Sequence, residues 1–172
     1  QGGGFADEGY ARATGKVGVC MSTSGPGATN HVTAIADAFL DSCPLLAISG
    51  QVPTALIGRG AFQETDFFGM TLPVVKHSYI VRRTEDVYAT VREAFAIARS
   101  GKPGPVLVDL PKDITAGLAA ARAMKVVEVN ANKQSAQIEK AKVLLAQAKK
   151  PLLYIGGGVA MAGAEAVLRQ FI

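Results

Sequence analysis

Short, continuous apolar runs alternate along this chain with stretches whose apolar residues recur every three or four positions. Residues 17–22 (VGVCMS), 45–49 (LLAIS) and 105–110 (PVLVDL) have the pattern of strands buried on both faces, and 77–82 (HSYIVR) reads as a further strand. Gln1 opens directly into a helical stretch, and a helix is expected over residues 28–41, ending near Asp41-Ser42. Val87, Val91, Phe95 and Ala98 form a stripe at helical spacing, with Thr84 as the N-cap candidate and Gly101 and Pro103 as its stop.

Strand-helix-strand alternation of this kind predicts parallel βαβ units, hence an α/β fold with a three-layer parallel sheet over residues 1–114. Residues 51–73 are irregular, with one helical turn expected near 64–69. Residues 115–134 carry no clear element and end polar, so they are the expected linker. Ile138, Ala141, Leu144, Leu145 and Ala148 begin a new helical stripe; 152–155 (LLYI) reads as a strand, followed by three glycines and a final helix. Residues 135–172 are therefore expected to start a second α/β domain.

Composition removes several function classes. The net charge of +4 is spread over the chain with no concentrated basic face, which argues against a nucleic-acid partner. No apolar run approaches the ~18 residues of a membrane span. Cys20 and Cys43 have no CxxC spacing and sit in apolar surroundings, so they read as reduced core thiols of a cytoplasmic protein. Neither His31 nor His77 has a nucleophile or carboxylate at a useful spacing. The chain has no initiating Met and is expected to begin inside a longer one.

Four segments carry candidate chemistry. Ser24-Gly25-Pro26-Gly27-Ala28-Thr29-Asn30 lies between a strand and a helix, where open α/β sheets bind ligands. It is neither GxGxxG nor GxxxxGK[ST], so dinucleotide and P-loop readings fail, and a tight turn with nothing bound stays open. Gly60-Ala61-Phe62-Gln63-Glu64 sits in a long irregular segment, of the kind that is usually functional, although a plain exposed turn fits it too. Glu64 on its own reads as a helix N-terminal acid. Lys112 follows a strand, where a cation can face an anionic ligand, and Gly156-Gly157-Gly158 forms either a ligand-approach loop or a flexible turn.

Taken together, Asp7-Glu8-Gly9-Tyr10-Ala11-Arg12-Ala13-Thr14-Gly15-Lys16 and Thr23–Asn30 resemble the pyrimidine-binding domain of thiamine-diphosphate enzymes. Gly50-Gln51-Val52-Pro53, Ala61-Phe62-Gln63-Glu64, Lys76-His77, Gly104-Pro105-Val106 and Pro111-Lys112-Asp113 narrow the similarity to the acetohydroxyacid (acetolactate) synthase family. The resemblance implies a transferase of branched-chain amino-acid biosynthesis that decarboxylates pyruvate and condenses the two-carbon unit with a second 2-keto acid. A glyoxylate carboligase-like enzyme and a non-catalytic assembly module of the same fold are the alternatives.

By this resemblance Pro26 and Asn30 would line the thiamine-diphosphate pyrimidine, Gln63 would face the substrate, and Phe62 would stand between substrate and flavin. Lys112 would sit along the access channel, and Asp41, Lys102 and Gly156 to Gly158 would lie near FAD. Lys102 and Arg59-Gly60 depart from the family's usual Arg and Thr-Asp, which bears on the flavin more than on the thiamine cofactor. The family's catalytic glutamate would precede Gln1, and Mg2+ would be held beyond Ile172, so this stretch alone is expected to be inactive. The resemblance further implies a homodimer or larger assembly, with a regulatory subunit as a possible partner.

Overall fold

The computed structural model describes residues 1–120 and 135–172. The chain divides into two compact units, Gln1–Asn130 and Ala131–Ile172. Most of the expected linker, residues 121–134, lies outside the described residues.

The first unit is built on a four-stranded, all-parallel sheet: β1 (Gly18–Ser22), β2 (Leu45–Gln51), β3 (His77–Ile80) and β4 (Val106–Pro111), in spatial order β1-β2-β4-β3. Helices α1 (Gly2–Thr14), α2 (Pro26–Thr29), α3 (Val32–Leu40), α4 (Phe67–Thr71), α5 (Val87–Arg99) and α6 (Lys112–Ala116) surround it. The chain steps one way from β1 to β2 and the other way from β3 to β4. Right-handed crossovers then require α3 and α5 to cover opposite faces.

The packing agrees. Ile35 and Ala38 of α3 join Cys20, Leu45, Ala47 and Leu107 in one core, while Ala94 and Ala98 of α5 join Leu46, Val106 and Val108 in another. Successive residues of β2 and β4 therefore enter opposite cores, the arrangement that the unbroken apolar runs anticipate. Each fully buried Leu, Ile or Val stabilises the fold by about 1.5–3 kcal/mol. Cys20 and Cys43 are buried and free, and burial pushes the Cys20 thiol up to about 11, which keeps it protonated and inert.

Two close approaches fix α1. A methyl group on Gly18 would fall 2.2 Å from the Asp7 carbonyl oxygen, and one on Gly4 would fall 2.7 Å from Ala34 Cβ. Side-chain-free backbone at these points lets α1 lie directly against β1 and α3.

Several local expectations are corrected. The helix expected at 28–41 starts earlier, because Pro26 suits a first helical turn, and it is interrupted at Asn30-His31 into α2 and α3. Thr84 does not cap α5: a short 3-10 turn over Thr84–Asp86 intervenes and puts Asp86 at the N-cap position, and the Thr84 hydroxyl donates to the Ile114 carbonyl in α6 (2.9 Å). Helix α6 itself falls in a stretch whose apolar content is too small to mark it, with Ile114 as its buried residue.

The C-terminal end of α5 is closed by a cation. Lys76 Nζ donates to the Ile97 carbonyl and to the Ser100 carbonyl (2.6 Å), and burial lowers its pKa. An ammonium here adds to the Ser100 N–H on the Ile97 carbonyl, gives the Ser100 carbonyl a partner and complements the helix dipole. Lys76→Met should keep the stem's packing and lose these bonds, lowering stability by about 1–2 kcal/mol; urea unfolding checks this, and an unchanged midpoint would contradict it.

The second unit holds α7 (Ser135–Gln147), α8 (Gly158–Met161) and α9 (Glu165–Phe171). The strand expected at 152–155 does not form. A strand exists only through hydrogen bonds to a neighbour, and among the described residues every strand belongs to the sheet of the first unit. Leu152 and Tyr154 are accordingly exposed.

Candidate functional site

The site begins where β1 ends. After Ser22 the chain turns through Thr23 and Ser24 to Gly25, whose φ of 59° and ψ of −119° belong to a region that glycine alone holds without strain. Pro26 opens α2, where its missing N–H costs nothing. The turn is closed by the Thr29 N–H on the Gly25 carbonyl (3.0 Å) and by Asn30, whose backbone N–H (3.2 Å) and side-chain Nδ2 (2.7 Å) both donate to the Pro26 carbonyl. Pro26 and Asn30 are both exposed.

Gly25 also meets a second sequence motif. A methyl group at Gly25 would lie 2.8 Å from the Gln63 carbonyl oxygen and 2.9 Å from its Cα. Gln63 itself has a φ of 58°, a left-handed backbone that is uncommon outside glycine. The fold therefore presses together two segments that the sequence offered separately, and Gln63 is held in a costly conformation at the point of contact.

Glu64 supports this arrangement, not a helix. Its carboxylate accepts from the backbone N–H groups of Gly58 and Ala61 (2.8 Å), and these bonds lower its pKa. The expected role at a helix N-terminus belongs instead to Asp66, which caps α4 by accepting from the Gly69 N–H (2.9 Å). Phe62 is 90% exposed, an aromatic ring in solvent beside the exposed Gln63.

Beside this contact lies a cleft of about 360 Å³ at the carboxyl ends of β1, β2 and β4, lined among others by Ser22, Ser24, Ser49, Gly50, Gln51 and Lys112. Parallel α/β sheets bind ligands at this end. Lys112, the first residue of α6, is the charged residue among those lining it. Its neighbour Asp113 accepts from the Thr54 N–H (3.0 Å) and hydroxyl (2.5 Å), which lowers the Asp113 pKa and ties the irregular segment to α6. Pro26, Asn30, Phe62 and Gln63 do not line the cleft; they stand on the adjoining turns.

Asp41 and Lys102 lie elsewhere. Both sit in connections that lead from a helix into a strand, α3 to β2 and α5 to β4, and so at the amino end of the parallel sheet. Arg12 bridges Glu8 and Asp41, at 2.5 Å from each, and the two carboxylates raise the guanidinium's pKa. Glu8, Asp37 and Asp41 come close enough to suggest a cation, but Arg12 already fills that place. Lys102 Nζ lies 5.7 Å from the Phe39 ring centroid, a cation–π contact. Gly156, Gly157 and Gly158 belong to the second unit, with Gly158 opening α8.

Sequence reasoning missed Asp109. It is wholly buried in β4, where burial raises its pKa, and it accepts from Ser49 Oγ (2.6 Å) and Gln51 Nε2 (3.0 Å) beneath the cleft. The available signal was a lone carboxylate inside PVLVDL, because a charge in a doubly buried strand requires partners.

Residues 1–70 match the family model described as thiamine pyrophosphate enzyme, N-terminal TPP binding domain. The chain is 51% identical to an acetolactate synthase of Arthrospira platensis over 99% of its own length and 31% of that protein's. It is also 51% identical to the acetolactate synthase isozyme 2 large subunit of Escherichia coli K12, over 100% of this chain and 32% of the relative. The acetolactate synthase large subunit of Porphyra purpurea is 48% identical, over 100% of this chain and 30% of the relative. The chain thus spans about a third of the length of the curated relatives it matches.

Proposed function

We propose that this chain, whose residues 1–70 match the thiamine pyrophosphate enzyme N-terminal domain and which is 51% identical to an acetolactate synthase, forms the pyrimidine-side wall of the active site of a full-length acetolactate synthase. The single observation that carries this reading is the contact of the Gly25 turn with Gln63 at the mouth of a cleft on the carboxyl end of the sheet. The cleft offers neutral polar groups to an uncharged heteroaromatic ring: the hydroxyls of Ser22 and Ser24 and the side-chain-free backbone at Gly50.

In this reading Pro26 offers an apolar edge to the aminopyrimidine, and Asn30 keeps the Pro26 turn closed by its side-chain bond. Gln63 presents a neutral amide to the 2-keto acid, orienting its polar oxygens without adding charge. Phe62 covers the substrate and excludes water. Lys112 attracts the incoming carboxylate to the cleft. When bound, thiamine diphosphate supplies the carbon nucleophile and accepts the electrons released as carbon dioxide leaves.

FAD, which the resemblance implies, is assigned no step; of its expected neighbours, Asp41 and Lys102 lie at the amino end of the sheet, opposite Lys112. Mg2+ would be held by other parts of the full protein. The cleft is open to solvent in this chain; by the resemblance it would be completed across the interface of at least a homodimer.

The test is turnover by the full-length protein with thiamine diphosphate, Mg2+ and pyruvate. Acetolactate formation is expected. Turnover with glyoxylate alone would replace this reading by the glyoxylate carboligase-like one, and cofactor binding without any turnover would favour an assembly module.

A further inference from the structure

We infer that Asp109 and Gln51 are positioning residues for Gln63, fixing the substrate-facing loop from beneath the cleft. The inference rests on the reading of Gln63 as the residue that meets the 2-keto acid.

Asp109 is 0% exposed and touches no face of the cleft, yet its carboxylate is one end of a chain of bonds that reaches the loop. Ser49 Oγ donates to one carboxylate oxygen (2.6 Å) and Gln51 Nε2 to the other (3.0 Å). Strand register sets this up, since Ser49 lies opposite Asp109 and Gln51 opposite Pro111. Gln51 Nε2 also donates to the Thr65 carbonyl (2.8 Å), and its Oε1 accepts from the Val52 N–H (2.9 Å). Both amide donors and the amide oxygen are therefore committed, so the Gln51 side chain has one orientation, dictated by Asp109.

The consequence falls on the loop. Thr65 is two residues from Gln63, whose left-handed backbone persists only while its surroundings over-determine it. Glu64 pins the near side of the turn through Gly58 and Ala61, and Gln51 pins the far side through Thr65. Releasing the second anchor leaves Gln63 free to relax away from Gly25 while the Pro26 turn keeps its own bonds.

Three variants of the full-length protein decide the matter: Asp109→Ala, Asp109→Asn and Gln51→Leu. The readouts are amide hydrogen exchange of residues 58–66, kcat and KM for pyruvate, and thiamine-diphosphate affinity. Asp109→Ala and Gln51→Leu should speed exchange in this segment and lower kcat/KM for pyruvate by about tenfold or more, as small misplacements of a reacting group do. Cofactor affinity should stay within about twofold, because the Pro26 turn is untouched. Asp109→Asn should behave like the wild type: its amide oxygen still accepts from Gln51 and its NH2 can donate to Ser49 Oγ. If Asp109→Ala does not fold, Gln51→Leu and Asp109→Asn carry the test. Unchanged exchange in Gln51→Leu, or parallel losses of substrate and cofactor binding, would overturn the inference. So would an Asp109→Asn variant as impaired as Asp109→Ala. A wild-type protein without carboligase turnover would instead defeat the functional reading, and the exchange measurement would still judge the anchor.

Discussion

Gly25→Ala in the full-length protein should lose both stability and activity. At φ 59° and ψ −119° an alanine is strained by about 1–3 kcal/mol. Its methyl group would also press on the Gln63 carbonyl oxygen at 2.8 Å and Cα at 2.9 Å, backbone atoms that cannot swing aside like a flexible side chain. Overpacking of this kind adds about 1–3 kcal/mol. Either the Pro26 turn or the Gln63 loop must then move, and turnover should fall by about 100-fold or more. Denaturant unfolding and steady-state kinetics with pyruvate read both effects. A variant with wild-type stability and turnover would mean that the turn and the loop do not form one site.

Gln63→Gly should separate those two losses. Glycine relieves the left-handed backbone at φ 58° but makes the unfolded chain more flexible, which costs about 0.4–1 kcal/mol. These terms oppose each other, so stability should stay within about 1 kcal/mol of wild type. The amide that orients the substrate is gone, and kcat should drop about 100-fold, the scale of losing one preorganised polar contact to the reacting group. Gln63→Ala should lose the same activity while keeping the strain. If Gln63→Gly retained full turnover, the residue would be a turn former and no more.

These two residues also mark how far the sequence could be read. The unbroken apolar runs at 45–49 and 105–110 announced strands buried on both faces, and β2 and β4 occupy the centre of the sheet. The glycine-rich turn was recognisable as a break between an apolar strand run and a helical stretch at a place where α/β sheets bind ligands, whereas the helix start at Pro26 was not. What no local pattern could supply was the meeting of Gly25 with Gln63, because that contact depends on how the irregular segment 51–73 folds back. Glu64 was misjudged for the same reason: its partners, the Gly58 and Ala61 N–H groups, are created by a turn with no periodicity.

Asp109 was legible only as an anomaly, a carboxylate in an apolar run, and its partners Ser49 and Gln51 came from a different strand through register. Thr84 looked like a cap because caps are local, whereas its acceptor, the Ile114 carbonyl, is tertiary. Asp41 and Lys102 entered through family resemblance alone. The parallel topology puts them at the sheet's amino end, the opposite end from Pro26 and Lys112.

The most direct measurement is a structure of the full-length protein with thiamine diphosphate bound. The aminopyrimidine should rest against Pro26 on the Gly25 turn, with the Gln63 amide on the side from which a 2-keto acid reaches the thiazolium carbon. A cofactor bound away from that turn, or a turn filled by the protein's own side chains, would contradict the account.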